Sequence, residues 1–386
     1  MSARLAAARR IVIKIGSSLL VAADGADPNQ AWLASLAADV AQARARGQKV
    51  AIVSSGAVAL GRRVLGLRAG ILRLEEKQAA AAAGQARLIG AYEQAFAQHG
   101  APVAQALLTA QDAERRRAWL NARATLETLL SLGAVPIINE NDTVATAEIR
   151  YGDNDRLAAR AAQMIGADVL ILLSDVDGLY TADPRRDQNA QHLPELRALD
   201  QRILDMAGPP DAAGPGTGGM RTKLDAVRIA WSAGCATIIC RGADPADPRG
   251  PLSRLAAGAR ATWFLPALAP EDARRQWIVG HLRPDGALIL DDGAIAALQS
   301  GASLLPVGVR RVEGKFARGD AVILADATGR AVGKGVSAYD CEDARRIIGK
   351  QTAEVEAILG FRGRPALVHR DDLVLDVYLM SKAEAE

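Results

Sequence analysis

Two lysines far apart in the chain are the residues best placed to do chemistry, each set among glycines and hydroxyls. Lys14 follows the apolar run Ile11-Val-Ile and precedes Gly16-Ser17-Ser18. Lys223 closes the stretch Gly214-Pro-Gly-Thr-Gly-Gly-Met-Arg-Thr-Lys, just ahead of Leu224-Asp-Ala-Val-Arg-Ile-Ala-Trp, which has helical spacing. Glycines let backbone N–H groups approach an anion, and a helix N-terminus adds partial positive charge. A phosphate suits such a stretch, and a flexible linker with a solvated lysine is the alternative. Neither familiar nucleotide motif is present. Gly214, Gly216 and Gly219 have G-x-G-x-x-G spacing, but Met206-Ala-Gly-Pro-Pro-Asp leads into them where a buried strand should, and Thr222-Lys223 reverses the order of a P-loop.

Carboxylates and amides gather in two short runs, Asn139-Glu-Asn-Asp142 and Asp153-Asn-Asp155. Near a triphosphate, carboxylates hold magnesium or capture a substrate ammonium, while amides and a hydroxyl such as Ser55 receive a substrate carboxylate. The two demands together fit an amino acid. Asp155 stands before a helical segment, either as its cap or as the group that orients the lysines. With no histidine or cysteine nucleophile in these runs, the set suits phosphoryl transfer, which needs positioning and charge neutralisation more than covalent participation.

The elements that must position these groups alternate along the chain. Ile11–Lys14, Lys49–Val53, Pro102–Leu108, Ala134–Asn139, Asp168–Ser174 and Thr237–Cys240 read as strands, separated by amphipathic helices. Asp27-Pro28 supplies a cap and first-turn proline for a helix through Arg46. The pattern implies a three-layer αβα sandwich around a mainly parallel sheet, whose ligands bind beyond the carboxyl ends of the strands. Those ends carry Lys14-Ile-Gly-Ser-Ser, Ser54-Ser-Gly, Asn139-Glu-Asn-Asp and Ser174-Asp-Val-Asp-Gly, so one edge of the sheet is chemically loaded.

After Pro266 the segments shorten and glycines become frequent. The expected division is a catalytic domain over 1–265, a linker over 266–276, a small β-rich domain over 277–360 and a tail over 361–386. Composition bounds the rest. The 386 residues are 49% hydrophobic, with 47 basic and 44 acidic side chains, so the net charge of +3 does not mark a nucleic-acid-binding tail. Residues 277–360 carry ten basic and eleven acidic residues and few aromatics, which disfavours RNA. Three cysteines make no disulfide framework, and with four scattered histidines there is no zinc spacing. The alanine-rich stretch after Gln78 is broken by Gln85, Arg87 and Glu93, so no apolar run spans a bilayer. A cytoplasmic protein without membrane association is expected.

In order along the chain, Lys14-Ile-Gly-Ser-Ser, Val53-Ser-Ser-Gly-Ala, Ile138-Asn-Glu-Asn-Asp-Thr-Val-Ala-Thr-Ala-Glu-Ile, Gly152-Asp-Asn-Asp, Gly178-Leu-Tyr-Thr-Ala-Asp-Pro and Thr217-Gly-Gly-Met-Arg-Thr-Lys resemble the glutamate 5-kinases of the amino acid kinase family. The C-terminal part resembles the PUA domain that many bacterial members append. The resemblance implies ATP-dependent phosphorylation of the γ-carboxylate of L-glutamate, the first step towards proline. It casts Lys14 and Lys223 as the groups that stabilise the phosphoryl in flight, and Asp155 as their aligner. Ser55, Asp142, Asn154 and Asn139 would hold glutamate. Lys14, Gly16, Ser174, Asp175, Thr217, Gly218, Gly219, Met220, Arg221, Thr222 and Lys223 would hold ATP, with Mg2+ on its phosphates and no protein ligand. Proline as feedback inhibitor, a homo-oligomer (dimer or tetramer) and a γ-glutamyl phosphate reductase as partner are implied in the same way. Kinases of aspartate, acetylglutamate or carbamate are the alternative within the family, disfavoured by Asn139-Glu-Asn-Asp.

Overall fold

A five-residue strand with three apolar residues at its centre, Arg10–Lys14 (β1), sets the register of the larger sheet. Ile11 and Ile13 face one hydrophobic layer and Val12 the other, so the strand is buried on both sides up to Lys14. The computed structural model describes residues 2–22, 27–68, 70–145, 153–207, 219–270, 272–273 and 284–375. The chain divides into two units, Met1–Pro270 and Glu271–Glu386.

In the first unit β1 lies between β2 (Lys49–Val53) and β5 (Val169–Ser174), parallel to both. The sheet continues outward on one side through β4 (Val135–Glu140) to the edge strand β3 (Val103–Leu108), again parallel. On the other side come β9 (Ala236–Arg241), parallel to β5, then β10 (Ala261–Phe264), which runs antiparallel, and the two-residue β8 (Glu195–Leu196). The short pair β6 (Leu179–Tyr180) and β7 (His192–Leu193) forms a separate hairpin. β5 is buried along its whole length, whereas β3 alternates partly exposed with exposed positions before Leu108, as an edge strand does.

Helices cover both faces. Leu33, Leu36, Ala37 and Val40 of α3 (Gln30–Ala45) and Leu88, Tyr92 and Phe96 of α5 (Leu74–Ala97) pack on the face that takes Ile11 and Ile13. On the opposite face lie α7 (Arg116–Ser131), α8 (Asp153–Ile165) and α10 (Met220–Ser232), whose Leu126, Ala158, Ala162, Leu224 and Val227 meet Val12, Leu170 and Leu172. This is the expected αβα sandwich. One detail differs: α3 is capped by Asn29, which accepts from the Trp32 N–H, because Pro28 is held back in a bridge to Val21 and leaves Asp27 outside the helix.

Among the described residues no helix is long and apolar enough to cross a membrane. α4 (Ala57–Val64) and α5 cross with their backbones in contact. A Cβ at Gly61 would stand 1.7 Å from the Ala80 carbonyl oxygen, and one at Gly84 1.8 Å from that of Ala57, so only glycine fits either place.

The second unit holds a five-stranded sheet in the order β12 (Val309–Gly314), β11 (Pro284–Leu290), β13 (Ala321–Ala325), β14 (Ala331–Val336), β15 (Leu373–Leu375). Short helices Asp292–Gln299, Cys341–Ile347 and Thr352–Leu359 pack on it around Leu288, Leu324, Ile347 and Leu367. The segment after 360, read from sequence as a tail, is part of this unit as far as Leu375. Leu367 and Val368 are buried, and Leu373–Leu375 pairs with Gly333–Gly335. The first residues of the expected β-rich domain, 277–283, lie outside the described residues. Arg310 pairs with Asp291 and Arg311 with Glu313, so the basic patch suggested by their adjacency is compensated locally.

Candidate active site

The parallel strands bring the loaded segments to one edge because each apolar run ends where its polar residues begin. Lys14 ends β1, Asn139 and Glu140 end β4, and Ser174 ends β5, while Ser54 and Ser55 follow β2 directly. From the covering layer, α8 presents Asn154 and Asp155 in its first turn, and α10 presents Thr222 and Lys223 in its first turn.

Asp155 joins the two lysines. Its Oδ1 lies 2.7 Å from Lys14 Nζ and its Oδ2 3.5 Å from Lys223 Nζ, and all three side chains are nearly or wholly buried. The Thr222 hydroxyl donates to Oδ2 at 3.0 Å. Asp155 is the third residue of α8, inside the helix, so the alternative of a capping role is set aside. Burial opposes its ionisation, but the charges of Lys14 and Lys223 and the hydrogen bonds from Lys14 and Thr222 outweigh burial and hold the carboxyl below its ordinary value. Burial likewise pushes the Lys223 ammonium below the usual lysine range, with Asp155 resisting and Lys14 adding to the shift. Two ammonium groups around one buried carboxylate make a site prepared for a further anion.

A chain of amides sits beside this cluster. Asn154 Nδ2 donates to the Ser54 carbonyl at 3.0 Å and to Ser55 Oγ at 2.8 Å, and lies 3.3 Å from Asn139 Oδ1. Asn139 Oδ1 also accepts the Glu140 N–H, and its Nδ2 donates to Gln85 Oε1 at 2.9 Å. The Ser54 carbonyl can only accept and the Glu140 N–H can only donate, so both asparagine amides have a fixed orientation. Asn154 Oδ1 is left buried with no hydrogen-bond partner among the described residues. A buried acceptor in that state costs about 1–3 kcal/mol, which a donor on a bound molecule recovers. Asp142, two residues beyond β4, is buried as well.

On the other side of β1, Ser174 donates its hydroxyl to Asp175 Oδ1 at 3.0 Å, and Asp175 is exposed at the mouth of the edge. Gly219 precedes α10 in extended conformation and no side chain among the described residues caps the helix, which leaves its first N–H groups to an anion. Gly16 holds the same place before the short helix α2 (Ser17–Leu20). Met220 is half-buried at the start of α10, and the Arg221 guanidinium turns to the Leu204 carbonyl at 3.3 Å. Thr217 and Gly218 lie outside the described residues.

Sequence reasoning missed two groups. Gln85 and Tyr92, both on α5, reach Asn139 and Ser54, the latter by a Tyr92 Oη–Ser54 Oγ contact of 3.1 Å. A polar residue in an alanine-rich helix was the only signal for Gln85. Farther along the edge, a cavity of about 360 Å³ opens at the end of β9, lined by Arg241, Arg249, Arg254 and Arg260 among others. Arg249 pairs with Asp247, Arg260 with Asp177, and buried Arg254 donates to the Arg241 carbonyl.

The model of the amino acid kinase family matches residues 9–241, and that of the PUA domain residues 286–359. The chain is 58% identical over 372 residues to a glutamate 5-kinase of Paramagnetospirillum magneticum, covering 96% of this chain and 99% of the relative. It is 56% identical over 370 residues to a glutamate 5-kinase of Caulobacter vibrioides, covering 96% and 97%. It is 54% identical over 382 residues to a glutamate 5-kinase of Rhizobium etli, covering 99% and 97%.

Proposed function

The chain belongs to the glutamate 5-kinase branch of the amino acid kinase family, and from that premise we propose that its sheet edge transfers the γ-phosphoryl group of ATP to the γ-carboxylate of L-glutamate. The observation that carries the reading is the buried Lys14–Asp155–Lys223 bridge beside an amide chain whose Asn154 Oδ1 lacks a donor among the described residues.

A γ-carboxylate ionises near pH 4.3 in a free side chain, so at neutral pH it is already a nucleophile and needs no general base. One carboxylate oxygen forms the new bond to phosphorus as the bond from phosphorus to the β,γ-bridging oxygen breaks, and ADP leaves with that oxygen. The obstacle is repulsion between the carboxylate and the triphosphate. Lys14 and Lys223 offset it from two directions, held in place by Asp155, and the uncapped start of α10 adds backbone N–H groups. A triphosphate beside Lys223 favours its charged form and counteracts the effect of burial.

Ser55, Asn139, Asp142 and Asn154 are the proposed glutamate pocket. Asn154 Oδ1 accepts from the substrate ammonium, Asp142 supplies the opposing charge, and Ser55 meets a carboxylate. Ser174, Asp175, Gly16 and residues 217–223 are the proposed nucleotide side. The Asp155 carboxylate between the two lysines is taken up by both ammonium groups and by Thr222, and the amides and hydroxyls beside it suit phosphate and carboxylate oxygens better than a divalent cation. Magnesium is therefore assigned to the nucleotide's own phosphates and water, where it neutralises triphosphate charge. Proline is proposed to compete in the glutamate pocket. Assembly into a homo-oligomer, hand-over of the labile acyl phosphate to a reductase and a cytoplasmic location complete the proposal.

The test is trapping of the acyl phosphate by hydroxylamine with purified protein, ATP, magnesium and glutamate. Hydroxamate should form in proportion to ADP; ADP release without hydroxamate would reject transfer to a carboxylate.

A further inference from the structure

We propose that Gln85 is a positioning residue for the amino-acid substrate, acting through Asn139 and Asn154 and leaving the nucleotide side untouched. The inference deepens the glutamate-kinase reading and rests on it.

Three contacts tie α5 to the substrate side of the cleft. Gly84 sits against the Ala57 carbonyl, at the start of the helix that follows Ser55. Tyr92, fully buried two turns later, reaches Ser54 Oγ. Between them Gln85 Oε1 accepts from Asn139 Nδ2 at 2.9 Å. The helix is thus a rigid template against which both the Ser54–Ser55 segment and the end of β4 are set.

The hydrogen-bond logic gives Gln85 more than a packing role. Asn139 has its oxygen committed to the Glu140 N–H and to Asn154, so its amide protons need an acceptor on the far side, and Gln85 supplies it. With that acceptor in place Asn139 Oδ1 stays aimed at Asn154 Nδ2. Asn154 in turn keeps its Nδ2 on Ser54 and Ser55 and its Oδ1, which no described residue engages, turned to a substrate donor. Gln85 Nε2 is itself buried and makes no hydrogen bond among the described residues. A glutamine kept only for the fold would satisfy both ends of its amide. The route from Gln85 to Ser55 runs through side-chain amides, and among the described residues none of its hydrogen bonds goes to Lys14 or Ser174, so its loss should register chiefly on the amino acid.

The test compares wild type, Gln85→Met and Gln85→Glu in the hydroxamate assay, with KM measured for glutamate and for ATP. Gln85→Met keeps volume and helix preference while removing the acceptor, and should raise the glutamate KM about tenfold or more with the ATP KM within about twofold. Gln85→Glu keeps an oxygen for Asn139 and should raise it less. In a double-mutant cycle, adding Gln85→Met to Asn139→Ala should change the glutamate KM by less than about twofold, because the route through Asn139 is already cut. A wild-type glutamate KM in Gln85→Met, equal rises for both substrates, or full additivity with Asn139→Ala would overturn the proposal. If Gln85→Met does not fold, a Gln85→Glu variant that binds glutamate as poorly as Asn139→Ala would overturn it too. Wild-type protein that gives no hydroxamate rejects the reaction itself, a failure distinct from each of these.

Discussion

Replacing Asp155 by asparagine removes one charge and almost no volume, and its consequences can be worked from the geometry. At an effective dielectric constant of about 20, the 2.7 Å contact to Lys14 and the 3.5 Å contact to Lys223 correspond to Coulomb attractions of about 6 and about 5 kcal/mol. Desolvation of all three groups offsets much of this, and breaking a buried pair from one side typically costs about 3–5 kcal/mol. Two buried ammonium groups then remain without their shared carboxylate, and the less costly response is for one to lose its proton. Lys223 already lies below the ordinary lysine value through burial, and Asp155 is the group that most resists that shift. One pKa unit corresponds to about 1.36 kcal/mol, so even a quarter of the lost attraction moves Lys223 down by about one unit.

The catalytic form needs Lys223 charged, so activity is lost as pH rises through its folded value. Asp155→Asn should therefore move the alkaline limb of the kcat profile towards acid by at least about one unit and lower kcat near pH 7.5 by roughly 10²–10³-fold. Stability follows with a definite sign. Between the lowered folded value of Lys223 and its ordinary 10.5, the unfolded chain binds more protons, so stability rises with pH across that window. For ionised Asp155 the stabilisation is complete above the ordinary 3.8 and is lost as pH falls through its lowered folded value. Hydroxamate formation against pH, with denaturant unfolding at matched pH values, reads both effects. An unmoved alkaline limb with kcat within threefold of wild type would refute the bridge as the organiser of the lysines.

Three further outcomes are expected. Lys14→Ala and Lys223→Ala should each lower kcat by roughly 10²–10³-fold, as loss of a preorganised charge donor does; near-normal turnover in either purified variant would remove the two-lysine clamp. Asp142→Ala should raise the glutamate KM by about tenfold or more through loss of a charge-assisted contact, and an effect confined to the ATP KM would contradict its place on the amino-acid side. Gly84→Ala puts a methyl 1.8 Å from a backbone oxygen and should destabilise by about 3 kcal/mol or prevent folding; an unchanged unfolding midpoint would contradict the α4–α5 crossing.

Much of this arrangement is legible in sequence because parallel strands place their carboxyl ends together. Once Ile11–Ile13, Val50–Val53, Ile137–Ile138 and Leu170–Leu173 are read as strands, Lys14, Ser55, Asn139 and Ser174 must share an edge. Less visible were facts that depend on the third dimension. The inward direction of Asp155 follows from its place in the first turn of α8 and the packing of α10 beside it, which spacing alone does not separate from a cap. Gln85 lies 54 residues from its partner Asn139 in the chain, and an isolated polar residue in an alanine-rich helix carries no address. The displacement of the α3 cap from Asp27 to Asn29 comes from the bridge between Val21 and Pro28, a local tertiary contact that outweighs the cap-then-proline signal. In the second unit, a run of apolar residues at 373–375 is too short to announce a strand until Gly333–Gly335 offers it an edge.

The central claim is that the buried two-lysine cleft passes phosphate to a carboxylate held by the Asn154 amide chain. Hydroxamate yield across glutamate, aspartate, acetylglutamate and carbamate at equal concentration, with ATP and magnesium, tests it most directly. Glutamate should be the preferred acceptor by a wide margin and should lose that margin in Asp142→Ala. A wild-type protein that phosphorylates one of the other acceptors better, or none of the four, would contradict the account.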